Sequence, residues 1–142
     1  MEVSALRLLL VEDDPDDVIL FTRALRKVIP NTDLTVARDG DEAVELLSGK
    51  GGAVPQEGGL FLSHVILDLK LPKRSGLEVL EWIRRRRELR DLQVVVLSSS
   101  RQPEDLERAG RAGGIPYYVK PPNFHELVEI VRRILREWRM LP

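Results

Sequence analysis

The sequence predicts an α/β fold in which a doubly wound, five-stranded parallel sheet is covered by helices on both faces. Three observations carry that prediction. Five short apolar segments alternate with five segments of helical periodicity. The apolar segments run directly into polar or turn-forming residues, as buried strands do where they reach the rim of a sheet. Right-handed β-α-β crossovers then leave few arrangements other than a parallel sheet with helices on both sides.

Leu6 to Val11 is apolar apart from Arg7 and stops at Glu12-Asp13-Asp14-Pro15, which reads as a short buried strand ending in a turn. Asp14 is the candidate N-cap of the first helix and Pro15 its first residue, with Val18, Ile19, Ala24, Leu25 and Val28 on its apolar side. Leu34 to Ala37 is the second strand, and Asp39-Gly40 opens a helix carrying Ala43, Val44, Leu46 and Leu47. Gly49 to Gly59 is rich in glycine and lacks apolar periodicity, so it reads as a loop or insertion, and it has no phosphate-binding glycine spacing. His64 to Asp68 is a third strand ending on an acid. Gly76 to Arg87 reads as a helix whose basic end, Arg84 to Arg87, suits the C-terminal dipole. Gln93 to Leu97 is strongly strand-like and runs into Ser98-Ser99-Ser100. Pro103 to Ala112 is a polar helix ended by Gly113-Gly114, Tyr117 to Val119 a last strand, and Asn123 the cap of a helix to about Trp138.

Bulk composition fits this scheme. A chain of 142 residues with 43% hydrophobic and 32% charged residues is the size of one domain and can bury a core. We therefore expect residues 1–142 to form a single domain with no output domain. Twenty-two basic against 23 acidic residues give a net charge of −1, which provides no global attraction to nucleic acid or to an anionic membrane. The absence of cysteine excludes disulfides and thiolate metal sites, and the apolar runs are far shorter than the roughly 20 residues of a membrane span. No secretory leader is evident, and a reducing cytoplasm is the expected location.

The strand ends carry the chemistry. Glu12 and Asp13 follow the first strand, Asp68 ends the third, Ser98 the fourth and Lys120 the fifth, so all are expected on one rim, where ligands of such sheets bind. Three neighbouring carboxylates repel unless a cation lies between them, and all-oxygen ligands favour Mg²⁺. Lys120 supplies an ammonium and Ser98 a hydroxyl for phosphoryl oxygens, while Asp68, which needs no deprotonation, is the candidate nucleophile. Each has an ordinary reading as well: a capping turn, a strand end, a polar loop, a solvated lysine before proline. Their joint placement favours the site. His64 and His125 are too far apart in sequence to suggest a metal pair.

On these residues the sequence resembles the response-regulator receiver family. The motifs are Leu9-Leu10-Val11-Glu12-Asp13-Asp14-Pro15, Leu67-Asp68-Leu69-Lys70-Leu71-Pro72 with Gly76, Leu97-Ser98-Ser99-Ser100, and Tyr117-Tyr118-Val119-Lys120-Pro121. The resemblance implies a flavodoxin-like fold with strand order 2-1-3-4-5 and a phosphoacceptor role for Asp68, with a sensor histidine kinase as donor. It also implies Mg²⁺ held by Glu12, Asp13, Asp68 and the backbone carbonyl of Lys70, and a cis peptide at Lys120-Pro121. Phosphorylation would draw Ser98 towards the phosphoryl group, let Tyr117 rotate, and reshape the face built from helix 4, strand 5 and helix 5. The long loop before strand 3, the Leu71-Pro72-Lys73-Arg74-Ser75-Gly76 turn and the Leu-Ser-Ser-Ser segment most resemble stand-alone regulators paired with bacterial and cyanobacterial phytochromes. Glutamate at 12 and serine at 98 depart from the commoner aspartate and threonine, and Lys70 is placed to shield an acyl phosphate.

Two other functions are weighed against the switch. An aspartyl-phosphate phosphatase or phosphotransferase would carry a second acid two residues after the nucleophile, where this chain has Lys70. A phosphorylation-independent binding module would have no need of Glu12, Asp13, Asp68, Ser98 and Lys120 together. In the last helix Phe124, Leu127, Val131, Leu135 and Trp138 read as the core stripe, leaving Val128, Ile130 and Ile134 as interface candidates for a homodimer or an unidentified downstream protein.

Overall fold

Period-two burial settles how the strands are used. The computed structural model describes residues 6–48, 62–113 and 115–141, so the glycine-rich stretch 49–59 and Gly114 lie outside the described residues. Its strands are β1 (Arg7–Val11), β2 (Asp33–Ala37), β3 (His64–Leu67), β4 (Gln93–Ser98) and β5 (Tyr117–Val119), all parallel, in the order β2-β1-β3-β4-β5. Its helices are α1 (Pro15–Val28), α2 (Gly40–Leu47), α3 (Gly76–Arg84), α4 (Pro103–Arg111) and α5 (Phe124–Glu137). The flavodoxin-like topology expected from the sequence is the one observed.

Alternate strand residues feed two core layers. Leu9, Val11, Val65, Leu67, Val94 and Val96 face α2, α3 and α4, where Leu47, Leu80, Ile83 and Ala109 complete the layer. Leu8, Leu10, Ile66, Val95 and Leu97 face α1 and α5, meeting Phe21, Leu25, Val131 and Leu135. The central strands are therefore apolar on both faces, which is why they appear in the sequence as continuous runs. Tyr117 and Tyr118 also alternate, one against each layer, and both are half-buried because β5 is an edge strand.

Caps fix the helix starts that matter for the rim. The Asp14 carboxylate accepts from the Asp16 N–H with Pro15 at the first helical position, and Asn123 accepts from the Glu126 N–H. Ser75 and Glu78 form a reciprocal capping box at the start of α3. No helix of the described residues is long and apolar enough to cross a membrane.

Two expectations need correction. Helix α3 stops at Arg84 instead of running to Arg87, because Arg86 adopts an extended backbone and lays its guanidinium 4.5 Å from the Trp82 ring centre. The following 3₁₀ turn, Arg87–Leu89, then buries Leu89. In α5, Val128 (4% exposed) and Ile134 (2%) belong to the core, and Phe124 (38%) is exposed. The helix packs against both the sheet and α1, so its buried face is wider than one stripe, and only the partly buried Ile130 remains of the three interface candidates.

His64 starts β3, at the end opposite Asp68. It is buried, its Nδ1 is 2.6 Å from the Ser63 hydroxyl, and its ring lies 4.4 Å from that of Trp138 just after α5. Burial pushes its pKa down from 6.5 to about 4. The unfolded chain therefore binds more protons between those values, and stability present above pH 6.5 is lost as the pH falls to about 4. Chemical denaturation at pH 7 and pH 4 should show wild type losing about 3 kcal/mol more than His64→Gln; equal losses would assign the acid sensitivity to carboxylates alone.

Candidate functional site

Parallel register gathers the acidic strand ends. Val11 pairs with Leu67, Leu67 with Val96, and Ser98 with Val119. The ladder continues one step beyond the strands: the Glu12 N–H donates to Ala37 O at 2.9 Å, the Asp68 N–H to Val11 O at 3.1 Å, and the Lys120 N–H to Ser98 O at 2.9 Å. Glu12, Asp68, Ser98 and Lys120 thus leave the sheet at one rim, as the sequence predicts.

Asp68 is the centre of this group and is only 5% exposed. Its Oδ1 accepts from Ser98 Oγ at 2.8 Å and from the Lys70 N–H at 3.2 Å, and its Oδ2 accepts from Lys120 Nζ at 2.8 Å. Ser98 is fully buried and belongs to β4 itself, so its hydroxyl is held by the strand. The Lys120 ammonium also contacts Glu12 Oε1 at 2.7 Å and Asp17 Oδ2 at 2.8 Å, which gives each of its three hydrogens a carboxylate. Burial works against this charge, but the hydrogen bonds to Asp17, Asp68 and Glu12 outweigh it and hold the ammonium above the ordinary lysine range. Burial also pushes the Glu12 carboxyl up to about 7, opposed by the Lys120 hydrogen bond and reinforced by the charge on Asp68.

One oxygen from each of Glu12, Asp13 and Asp68 lies within 4.8 Å of the others, with Asp13 exposed and the other two buried. An all-oxygen set with one ligand at the solvent edge suits a hard divalent cation that keeps some of its water. The loop beyond Asp68 is held close by Gly76, whose N–H donates to Leu69 O at 2.9 Å; a Cβ there would stand 2.1 Å from Asp68 O.

The Lys120-Pro121 peptide is trans, as are all peptide bonds among the described residues, so the expected cis bond is not found. Trans is the lower-energy isomer by about 0.5–1 kcal/mol, and with it Lys120 already reaches all three acids. Tyr117 donates through its hydroxyl to Ser100 O at 2.9 Å, and Lys70 keeps its side chain exposed.

Sequence reasoning missed two participants. Asp17, in the first turn of α1, reads as an ordinary acid near a helix N-terminus, yet it binds Lys120 from across the rim. Ser100 links the Ser98 hydroxyl (3.3 Å), Asp105 (2.5 Å) and Tyr117. A usable signal for Asp17 is its place one turn after the acidic strand end, on a helix that starts at the same rim.

A family model described as the response regulator receiver domain matches residues 8–132. The chain belongs to the response regulator receiver family. It is 36% identical over 134 residues to the probable methanogenesis regulatory protein FilR2 of Methanothrix harundinacea, covering 92% of this chain and 82% of that protein. Response regulator Rcp1 of Synechocystis is 31% identical over 92% of this chain and 87% of its own, and the structure of its Mn²⁺-bound form superposes with a TM-score of 0.79 over 92% of each chain. The phosphorylated cyanobacterial phytochrome response regulator RcpA has a TM-score of 0.83 at 31% identity, over 95% of this chain and 94% of that one. Receiver domains are signalling switches that bind a divalent metal in an acidic pocket, and this receiver has an acidic cluster of Glu12, Asp13 and Asp68.

Metal binding should stabilise the folded receiver by mass action. Adding about 10 mM MgCl₂ should raise the melting temperature of wild type by several degrees and leave that of Asp13→Asn nearly unchanged; an equal rise in both proteins would place the cation elsewhere.

Proposed function

We propose that this receiver accepts a phosphoryl group from a sensor histidine kinase on Asp68 and signals through protein contacts as a single domain, residues 1–142, in the cytoplasm. The observation that carries the proposal is the bonding of one buried carboxylate: Asp68 meets the Ser98 hydroxyl on one oxygen and the Lys120 ammonium on the other, beside Glu12 and Asp13.

In that geometry an Asp68 oxygen forms the new O–P bond while the P–N bond of a phosphohistidine breaks. Lys120 offers its ammonium to an equatorial oxygen, Ser98 its hydroxyl to another, and the Lys70 N–H stays on the Asp68 side. Glu12, Asp13, Asp68 and the Lys70 carbonyl would hold Mg²⁺, which supplies charge neutralisation to the phosphoryl oxygens when bound. Hydrolysis of the acyl phosphate resets the switch, and no other substrate is turned over.

The readout follows from the contacts beyond the site. A phosphoryl group that draws Ser98 away from its present bond also disturbs Ser100, which donates to Ser98 Oγ and holds the Tyr117 hydroxyl. Rotation of Tyr117 would then change the α4–β5–α5 face. A homodimer or downstream contact on that face belongs to the same proposal, with Leu106 at 41% exposed in place of the buried Val128 and Ile134. Similarity to Rcp1 and RcpA along nearly the whole chain supports a phytochrome as the cognate kinase.

Beryllofluoride with Mg²⁺ should shift the amide NMR resonances of Ser98, Ser100 and Tyr117 in wild type and shift nothing in Asp68→Asn. Phosphotransfer from a panel of purified kinases, with a phytochrome among them, should be fastest from the phytochrome. Transfer that persists at full rate in Asp68→Asn would remove the proposal.

A further inference from the structure

Lys120 faces a competition for oxygens. Its hydrogens are committed to Glu12, Asp17 and Asp68, and two of those carboxylates also belong to the acidic cluster that suits a divalent cation. A metal ion in that cluster draws on two of the carboxylates that hold the ammonium, and two cations so close together repel. A lysine with only those two partners would either exclude the metal or be driven off the rim.

Asp17 is the third partner and lies outside the metal cluster. It stands in the first turn of α1, its side chain 35% exposed, 2.8 Å from Lys120 Nζ. It lines a cavity of about 130 Å³ together with Leu20, Phe21, Pro121 and Phe124, on the side where α1 meets the β5–α5 connection. The pull of Asp17 on the ammonium is therefore directed towards α1, alongside Asp68.

We infer that Asp17 is a positioning residue for Lys120: it retains the ammonium beside Asp68 while Glu12 is released to the metal, so that lysine and metal share the rim. The inference rests on the phosphoacceptor reading of Asp68 and adds to it the residue that keeps the lysine in place. With Asp17→Asn, the ammonium closes onto Glu12 and Asp68 and competes harder with the cation. Metal affinity then falls through Lys120, not merely through the loss of a nearby charge. An acid that served only the α1 dipole would show no such dependence.

The test is a double-mutant cycle read by Mg²⁺ calorimetry on wild type, Asp17→Asn, Lys120→Met and the double variant, with phosphoramidate as donor for the phosphorylation rate at saturating Mg²⁺. Asp17→Asn should weaken Mg²⁺ binding roughly fivefold and slow phosphorylation by a similar factor, and Asp17→Glu should recover most of both. In the Lys120→Met background the same substitution should change Mg²⁺ affinity by less than about twofold. Equal weakening in both backgrounds, or none in either, overturns the role of Asp17. Wild type that binds Mg²⁺ with the expected coupling but takes no phosphoryl group onto Asp68 overturns the phosphoacceptor reading instead.

Discussion

A single ammonium among three carboxylates is the interaction on which the rim depends. Glu12 and Asp68 are buried, and their side chains, together with those of Asp13 and Asp17, converge on a space a few ångströms across. Buried charge is costly unless it is paired and hydrogen-bonded. Lys120 answers that cost with three contacts of 2.7–2.8 Å, each to a different acid. Ser98 and the Lys70 N–H satisfy the remaining Asp68 oxygen, and no side-chain polar atom buried among the described residues lacks a partner.

The fold exists, in this sense, to hold that convergence still. Strands buried on both faces by two apolar layers fix the backbone on which Glu12, Asp68 and Ser98 sit. The β5 edge is less buried, and Tyr117 and Lys120 come from it and from its end. If Asp68 is the acceptor, as proposed, its burial beside a less buried edge is an arrangement suited to storing a charge change and reporting it sideways.

Much of this was legible in the sequence because strand burial and strand ends obey short-range rules. Apolar runs ending in Glu12-Asp13, Asp68, Ser98 and Lys120 locate the rim, and the parallel topology brings the ends together. Helix α5 was harder, since its apolar residues exceed one stripe on a wheel and in the fold bury against two neighbours, taking Val128 and Ile134 inside and leaving Phe124 out. The end of α3 turned on the extended backbone at Arg86, which the apolar periodicity and the basic run Arg84 to Arg87 do not signal. Asp17 escaped because a first-turn acid already has a sufficient local explanation, and its partner lies 103 residues away.

The central claim is that the carboxylate held between Ser98 and Lys120 is where the phosphoryl group is carried. Borohydride reduction of the phosphorylated protein followed by peptide mass mapping reads this directly, because an aspartyl phosphate is reduced to homoserine. The account predicts homoserine in place of Asp68 in the peptide spanning β3 and at no other acid. Homoserine at Asp13 or Asp17, 5-hydroxynorvaline at Glu12, or a phosphoryl group stable to borohydride on a serine, would contradict it.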